Sequence, residues 1–252
     1  MDLNSTSMNK LKSFLAYFFA ISTIIAFIAY VAIKQASDFS LEPFYIYRFM
    51  IFDGIKNTIL VSLISLVGSL IVGFILYLLQ ISKIKYFKAL IDVFTEIIYG
   101  TPLLVLIIVM AFLIGPAFNS YQRNFFGVLA LIVYMSPYMT NVYKSAFSSI
   151  SEEQYLAMDL FGFTSFQRYR YIIIPQVVRI LMPPLMNNFS MIIKGSALLN
   201  LISYNELYFV INVAQSRTFA FVEGYILMWV LYLLITIPLS QLTKFVERKW
   251  AL

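Results

Sequence analysis

The sequence predicts an all-α fold, a polytopic bundle of about six transmembrane helices. The chain has 252 residues, of which 61% are hydrophobic and only 12% are charged, whereas soluble domains carry about 25% charged residues. Its apolar residues form continuous runs about 20 residues long, the length of a helix that crosses a bilayer. The runs do not alternate apolar and polar residues as the strands of a membrane barrel would.

Composition also limits the chemistry. The chain contains no cysteine and no histidine, which argues against disulfides, thiol catalysis, imidazole bases and nearly every zinc site. It has no Gly-x-x-x-x-Gly-Lys-Ser/Thr segment, so it lacks a phosphate-binding loop of its own. We therefore expect no enzyme activity and no bound cofactor or metal. The net charge of +6 fits basic cytoplasmic loops better than a nucleic-acid partner.

The first apolar run covers residues 13–33. It is long for the apolar part of a signal peptide, and no clear cleavage site follows it. We interpret it as an uncleaved spanning helix, with a signal peptide as the alternative. Residues 34–56 are mixed and aromatic, which favours a helix lying in the membrane interface. An ordered external loop is the alternative there.

Five further spans are predicted. Residues 57–82 form the second span, with small residues where another helix can approach closely: Ser62, Ser65, Gly68, Ser69 and Gly73. The third covers 97–122 and has Pro102 one turn inside its start. The fourth covers 124–143 and is interrupted at Ser136-Pro137. An irregular fifth span is centred on 186–211, and a clean sixth covers 224–243.

The fifth span carries Lys194 and Glu206 in or close to the bilayer. Ionisable side chains at membrane depth are costly, so a functional role is the first interpretation. On one helix, 12 residues separate them by about 18 Å, so they cannot pair directly. Lys194 extending to the interface is the alternative.

Lysine and arginine predict the orientation. With the N-terminus inside, 12 of the 18 lie on the inner side and five on the outer side, with Lys194 set aside. Because cytoplasmic loops are enriched in basic residues, we expect both termini and the loop from Lys144 to Pro175 in the cytoplasm.

That loop is the longest hydrophilic interval of the chain. Ser151 is a typical helix N-cap, and Glu152 and Glu153 lie where the helix dipole favours negative charge. Apolar residues then recur at helical spacing until Gly162, a typical helix stop. A short amphipathic helix is therefore expected on the cytoplasmic side, where it can meet a soluble partner.

The segment 154–162, with Gln167, Arg170 and Pro175-Gln176 after it, resembles the EAA loop of permease subunits of ATP-binding-cassette (ABC) importers. More narrowly, it is similar to the polar amino-acid branch, the histidine, glutamine, arginine and opine importers. Six motifs along about residues 54–249 carry the resemblance in the right order: those beginning at Gly54, Glu96, Pro137, Pro175, Lys194 and Glu206.

Several positions depart from the family pattern. Leu156 replaces the EAA glutamate, and Met158 replaces its second alanine. Polar positions change as well: Tyr99 stands for arginine, Asn141 for glutamate, Lys144 for arginine and Gly195 for aspartate.

The resemblance implies a membrane-spanning permease subunit of an ATP-driven importer for a polar amino acid. It implies residues 1–53 as an additional N-terminal helix with its interfacial segment, and 54–249 as the permease domain. Residues implied in coupling to the ATPase are Gln154, Ala157, Asp159, Gly162 and Phe163. Those implied in the translocation pathway are Thr101, Pro102, Tyr138, Asn141, Asn187, Lys194 and Glu206.

The implied partners are an ABC ATPase subunit that binds the ATP, a second permease copy or paralogue, an extracytoplasmic solute-binding protein and the lipid bilayer. The implied location is the bacterial cytoplasmic (inner) membrane, which the chain would cross several times. A stand-alone secondary transporter or channel using Lys194 and Glu206 is the alternative, and a structural membrane partner without cargo is a third. Plain structural interpretations also stay open: Gly100-Thr101-Pro102 as a helix start, and Tyr138 and Asn141 as interhelical hydrogen bonds.

Overall fold

The structure is a computed structural model that describes residues 3–35 and 39–250. In these two stretches the regular elements are helices, and none is a strand. The helices are α1 Leu3–Gln35, α2 Glu42–Tyr45, α3 Arg48–Gln80, α4 Lys85–Gly100, α5 Leu103–Ala117, α6 Arg123–Ser148, α7 Glu152–Leu160, α8 Ser165–Ile202, α9 Leu207–Thr218 and α10 Phe221–Trp250. The all-α prediction is therefore confirmed.

Helices α1, α3, α6 and α10 are each long and apolar enough to cross a membrane. Two pairs of helices are each long and apolar enough to form one further, bent span. The bend is 109° between α4 and α5, and 50° between α8 and α9. The described residues thus contain four to six candidate spans, and two of the spans predicted as single helices are broken. The bend between α4 and α5 lies at Thr101-Pro102, where both residues have extended backbone angles. Pro102 therefore lies at the break inside this bent span, directly before α5, and not one turn inside a continuous helix.

The predicted interruption of the fourth span does not occur. Helix α6 continues through Pro137 as far as Ser148. Proline has no amide hydrogen to donate to the carbonyl four residues earlier, which here belongs to Val133. The Ser136 hydroxyl donates to that carbonyl at 2.8 Å, so the freed acceptor is satisfied and the helix persists.

Helices α3 and α6 pack closely through the small residues predicted on α3. A Cβ added to Gly73 would lie 2.5 Å from the Cβ of Met139, and one added to Gly68 would lie 2.5 Å from the Cδ1 of Ile132. Three serines of α3 are fully buried: Ser62, Ser65 and Ser69. Small side chains let two membrane helices approach each other, so this prediction is confirmed.

Within the aromatic segment 34–56, the described residues 42–45 and 48–56 are helical, and the second of these stretches is continuous with the next span. The segment forms α2 and then the first turns of α3, which begins at Arg48 rather than at residue 57. The Arg48 guanidinium lies over the rings of Tyr45 and Phe49 at 4.3 and 4.5 Å. The boundary expected between residues 53 and 54 falls inside this continuous helix.

Helix α1 lies beside α10. Ile24, Phe27, Ile28 and Val31 of α1 line a small apolar groove of 270 Å³ together with Tyr225, Ile226 and Trp229 of α10. Nearly all the described side chains of α1 are exposed, as expected for a helix in contact with lipid. The expected location of both chain ends concerns residues 1–2 and 251–252, which lie outside the described residues.

Candidate functional site

The short helix expected in the hydrophilic loop is α7. Ser151 precedes it in extended backbone, and its hydroxyl accepts a hydrogen bond from the Gln154 amide at 3.4 Å. Gly162 follows with φ +67°, a conformation that glycine adopts without strain. The amides of Gly162 and Phe163 donate at 3.0 Å to the carbonyls of Asp159 and Met158. These two bonds form a Schellman motif, which satisfies the last carbonyls of the helix.

The turn after α7 is fixed by charged and polar side chains. Arg168 forms an ion pair with Asp159, and its Nε donates to the Phe163 carbonyl at 2.9 Å. Thr164 and Gln167 form a reciprocal capping box at the start of α8. Asp159 and Phe163 were predicted as site residues, whereas Arg168 and Thr164 were not. The Thr-x-x-Gln spacing was a readable signal for the capping box, whereas nothing in the pattern predicted the Asp159–Arg168 pair.

Helix α7 has one buried face and one exposed apolar face. Met158 is buried in a cluster with Ala146, Ile150, Ile173 and Val177, which joins the end of α6 to the start of α8. By contrast, Leu156, Leu160 and Phe161 are 63%, 89% and 80% exposed. The apolar side chains at helical spacing therefore point away from the chain's own core, and they leave an unpartnered apolar surface on the loop.

Beside this surface lies an open groove of 490 Å³. It is lined by Gln154, Ala157, Met158, Phe161, Phe163, Ile172 and Gln176. The Gln176 side-chain amide donates to the Gln154 side-chain oxygen at 3.3 Å across 22 residues of sequence. Four of the five predicted coupling residues thus line or border one groove, and Asp159 holds its turn.

The N-terminal end of α7 is acidic. Hydrogen bonds from the Ser151 hydroxyl and from its own backbone amide hold the pKa of the Glu153 carboxyl below its usual range. Burial, with the neighbouring Tyr169, raises the pKa of Tyr155 on the inner side of the same helix. The loop therefore combines a negatively charged helix start with an apolar surface.

A second group of predicted residues meets where α4 packs on α6. The Asn141 side-chain amide donates to the Tyr99 hydroxyl at 2.7 Å. The Tyr99 and Tyr138 rings lie 4.9 Å apart, and Tyr134 continues the group at 5.9 Å from Tyr138. Thr101, two residues beyond Tyr99, donates to the Ile97 carbonyl at 2.6 Å. The cluster contains phenols and an amide, and its members carry no charge.

Asn187 and Lys194 lie together in a polar groove between α8 and α10. The groove measures 420 Å³ and is lined by Asn187, Ser190, Met191, Lys194, Thr236, Ile237 and Ser240. The neighbouring asparagine, Asn188, is buried and donates to the Met139 sulfur at 3.6 Å. Ser190, Thr236 and Ser240 were not predicted, because isolated hydroxyls in an apolar run also occur where they only bond to their own helix.

Glu206 lies in the break between α8 and α9, so Lys194 and Glu206 share a bent span but not the single continuous helix that was expected. Helix α8 ends at Ile202, and Ser203 has the left-handed angles φ 59° and ψ 35°. Glu206 is fully buried. Its carboxylate accepts from the amides of Tyr208 and Phe209 at 2.9 and 2.7 Å, so it caps α9. It also accepts from the Tyr232 hydroxyl of α10 at 2.8 Å.

A bundle of spanning helices, polar groups at membrane depth and a short helix extending from the bundle together define a class of protein, the membrane permeases. Residues 69–252 match the family described as the binding-protein-dependent transport system inner membrane component. The chain belongs to this family. It is a permease component and not an enzyme, and in these systems the ATPase is a separate subunit.

Known proteins agree with this assignment. The chain is 30% identical to the probable glutamine ABC transporter permease protein GlnM of Bacillus subtilis, over 79% of this chain and 93% of that protein. It is 29% identical to the histidine/lysine/arginine/ornithine transport system permease protein HisM of Salmonella typhimurium, over 79% and 89%. A solved amino acid ABC transporter with histidines matches with a TM-score of 0.76 at 25% identity, over 84% of this chain and 99% of that one. The stand-alone transporter is therefore not favoured.

Proposed function

We propose that this permease forms the translocation pathway of an importer for a polar amino acid, with the cargo delivered by an extracytoplasmic binding protein. Support for the cargo class comes from the relatives, which are described as glutamine, histidine/lysine/arginine/ornithine and amino acid transporters. Both termini and the α7 loop lie in the cytoplasm in this proposal, because the basic residues concentrate on that side.

The observation that carries the proposal is the α7 loop. The helix is closed at both ends, held to α8 by Arg168, and presents an exposed apolar surface beside a groove. An apolar surface with a polar rim is typical of a protein interaction site. We assign this surface to the ABC ATPase subunit. When two ATPase subunits bind ATP and close, α7 moves as a rigid unit and transmits the motion to α6 and α8 through the Met158 cluster.

The pathway in this proposal is formed by the polar groups at membrane depth. Lys194, Asn187 and Asn141 are exposed in the single chain. A lysine head and amides do not face lipid hydrocarbon without cost, so water in a pathway or a second permease copy or paralogue covers them. Thr101, Pro102 and Tyr138 are assigned to the pathway together with the Tyr99–Asn141 contact on α4 and α6. Glu206 is assigned to it as a buried residue at the α8–α9 break.

A charged residue in the docking groove tests the coupling assignment. Ala157 is exposed and lines the groove, so Ala157→Arg should leave the permease folded while placing an unpaired charge in the interface. Burying such a charge costs at least about 2 kcal/mol, so cargo-stimulated ATPase activity of the assembled transporter should fall at least about tenfold. Ala89→Arg is the matched control, because Ala89 is an exposed alanine of α4 outside the groove.

Co-purification of the ATPase with each variant is the second measurement. Loss of the complex in Ala157→Arg, with retention in Ala89→Arg, supports the docking surface. An Ala157→Arg transporter that keeps both the complex and its stimulated activity would show that α7 is not the ATPase contact. Absence of cargo stimulation in the unaltered transporter would instead favour a structural subunit without cargo.

A further inference from the structure

The turn that joins α3 to α4 carries three lysines within six residues and no acidic residue. We call residues 81–88 the basic turn. Its lysines are all exposed: Lys83, Lys85 and Lys88. Ile84 and Tyr86 alternate with them and are 55% and 68% exposed. The outer surface of the turn therefore combines positive charge with apolar side chains.

The basic turn is a fixed part of the fold. Helix α3 ends at Gln80, whose side-chain amide donates to the Asp92 carboxylate of α4 at 3.0 Å. The Phe87 backbone amide donates to the Ile84 carbonyl at 3.1 Å, and Phe87 is half-buried. The turn is thus held from both helices, and it presents its lysines outward.

The three lysines lack a compensating negative charge. The ion pairs formed in the described part of the chain lie elsewhere, and none includes a lysine of the basic turn. Lys85 and Lys88 belong to the first four residues of α4, a stretch without an acidic residue. The helix dipole favours negative charge at this end of a helix, and like charges one turn apart repel each other. A bound anion would offset both effects.

The basic turn lies at the edge of the membrane. Gln80, the last residue of the α3 span, directly precedes it. From the turn, an exposed apolar stripe runs along one face of α4 at helical spacing. Its members are Tyr86, Leu90, Val93 and Ile97, which are 68%, 48%, 56% and 60% exposed. A basic end, a tyrosine at the boundary and an apolar face are typical of a helix that contacts lipid.

A phospholipid matches both parts of this surface. An anionic headgroup supplies a phosphate for the lysines, and its acyl chains cover the stripe, whereas a soluble anion fits the lysines alone. We infer that the basic turn binds the headgroup of an anionic phospholipid, with the ammonium groups of Lys83, Lys85 and Lys88 on its phosphate. The site goes beyond the proposed function, because it involves neither the cargo nor the α7 surface.

A fluorescent label on the turn measures the lipid preference. The chain has no native cysteine, so Ile84→Cys in the full-length chain can carry a single bimane label. The protein is placed in phosphatidylcholine vesicles that contain a quencher lipid, either phosphatidylglycerol or phosphatidylcholine with a nitroxide near the headgroup. One basic residue near an anionic surface is worth about a fivefold preference. Half-maximal quenching should therefore need an at least about fivefold lower mole fraction of phosphatidylglycerol.

Variants of the labelled chain separate the three lysines from a general effect of charge. Changing all three lysines to glutamine should bring the two quencher lipids within about twofold of each other. Changing them to arginine should preserve the preference, because the positive charges remain. The matched control removes the same net charge from exposed residues outside the turn, with Lys34→Gln, Lys56→Gln and Arg123→Gln together, and it should leave the preference intact. Tyr86→Cys repeats the series in case the Ile84→Cys variant does not fold.

Equal quenching by the two lipids would overturn the inference, as would a preference that the glutamine variant keeps. Inorganic phosphate, compared with chloride at equal ionic strength, should not displace the quencher lipid. Displacement would show a site for free phosphate instead of a lipid. In the assembled transporter, the label should stay accessible to the phosphatidylglycerol quencher. Loss of quenching there would show that the ATPase or another permease covers the turn, which also overturns the inference.

Discussion

At the scale of single residues, the contact between Tyr99 and Asn141 explains two departures from the family pattern together. The pattern has arginine and glutamate at these positions, and the structure places the two side chains in direct hydrogen bonding at 2.7 Å. This chain therefore has a neutral tyrosine–asparagine pair where the resemblance implies an arginine and a glutamate. A neutral pair avoids the desolvation cost of two ions at membrane depth, but it also leaves the contact without a charge to offer a cargo.

The exchange predicts strong coupling between the two positions. Tyr99→Arg or Asn141→Glu alone places an unpaired charge at the contact and should cost about 2–3 kcal/mol of unfolding free energy. The double variant re-forms an ion pair and should recover most of that loss. Tyr99→Phe should cost only about 0.6 kcal/mol, the average for a membrane hydrogen bond. Unfolding in mixed micelles, analysed as a double-mutant cycle, measures the coupling.

Tyr86→Phe serves as the control, since Tyr86 is an exposed tyrosine of the same helix, and it should change stability by less than about 0.5 kcal/mol. Additive effects of the two charged substitutions would contradict the pairing seen in the structure.

At the scale of elements, the break between α8 and α9 is held from two neighbouring helices. From α3, the Thr58 hydroxyl accepts a hydrogen bond from the backbone amide of Leu207 at 3.0 Å. The side-chain amide of Asn57 donates to the Asn205 carbonyl at 2.7 Å. From α10, Tyr232 donates to Glu206. Unpaired backbone groups at a break inside the membrane are expensive, and these side chains satisfy them.

The hydrogen bonds at the break between α8 and α9 predict that substitutions there lower stability by different amounts. Glu206→Leu removes the cap of α9 and the partner of Tyr232, and should cost about 2–3 kcal/mol of unfolding free energy. Tyr232→Phe removes one hydrogen bond and leaves the cap, so it should cost about 1 kcal/mol. Thermal unfolding of both variants and of Glu247→Leu, an exposed glutamate near the end of α10, gives the ranking. A Glu206→Leu protein as stable as the control would show that the carboxylate does not stabilise the break between α8 and α9.

The helices also show which parts of the fold could be predicted from the sequence. Long apolar runs and small-residue faces predicted the spans and the α3–α6 contact, because both depend on composition along one helix. The sequence predicted an interruption at Pro137, where the helix continues, and predicted none at Pro102, where the span is broken. At Pro137 the Ser136 hydroxyl satisfies the freed carbonyl of Val133, a contact that the sequence pattern alone did not reveal. Glu206 was recognised as costly, but its partners lie on α9 and α10, and no periodicity in the sequence reveals a contact between separate helices.

The polar groove at Asn187 and Lys194 and the α7 groove were only partly predictable for the same reason. Their individual residues could be identified as polar or as similar to a family motif. The walls come from helices far apart in sequence, such as Thr236 of α10 beside Lys194 of α8. Spatial assembly of this kind requires the packed fold.

At the scale of the whole molecule, α1 is distinct from the rest. The family match begins at residue 69, and the relatives cover about four fifths of the chain. Helix α1 contacts α10 along one apolar groove, whereas α3, α6, α8 and α10 share the buried clusters of the bundle. Because α1 adds little buried surface to those clusters, the permease core should not depend on it for folding.

A chain that begins at Phe39 tests this independence. Removing α1 uncovers Tyr225 and Trp229, which lipid can cover as it covers other apolar side chains, so the unfolding free energy should change by less than about 1 kcal/mol. The shortened chain should also co-purify with the ATPase, since the α7 surface lies on a different part of the bundle. Trp229→Ala in the full chain is the control for the groove alone. Loss of folding or of ATPase binding on truncation, but not in Trp229→Ala, would show that α1 is an integral part of the permease core.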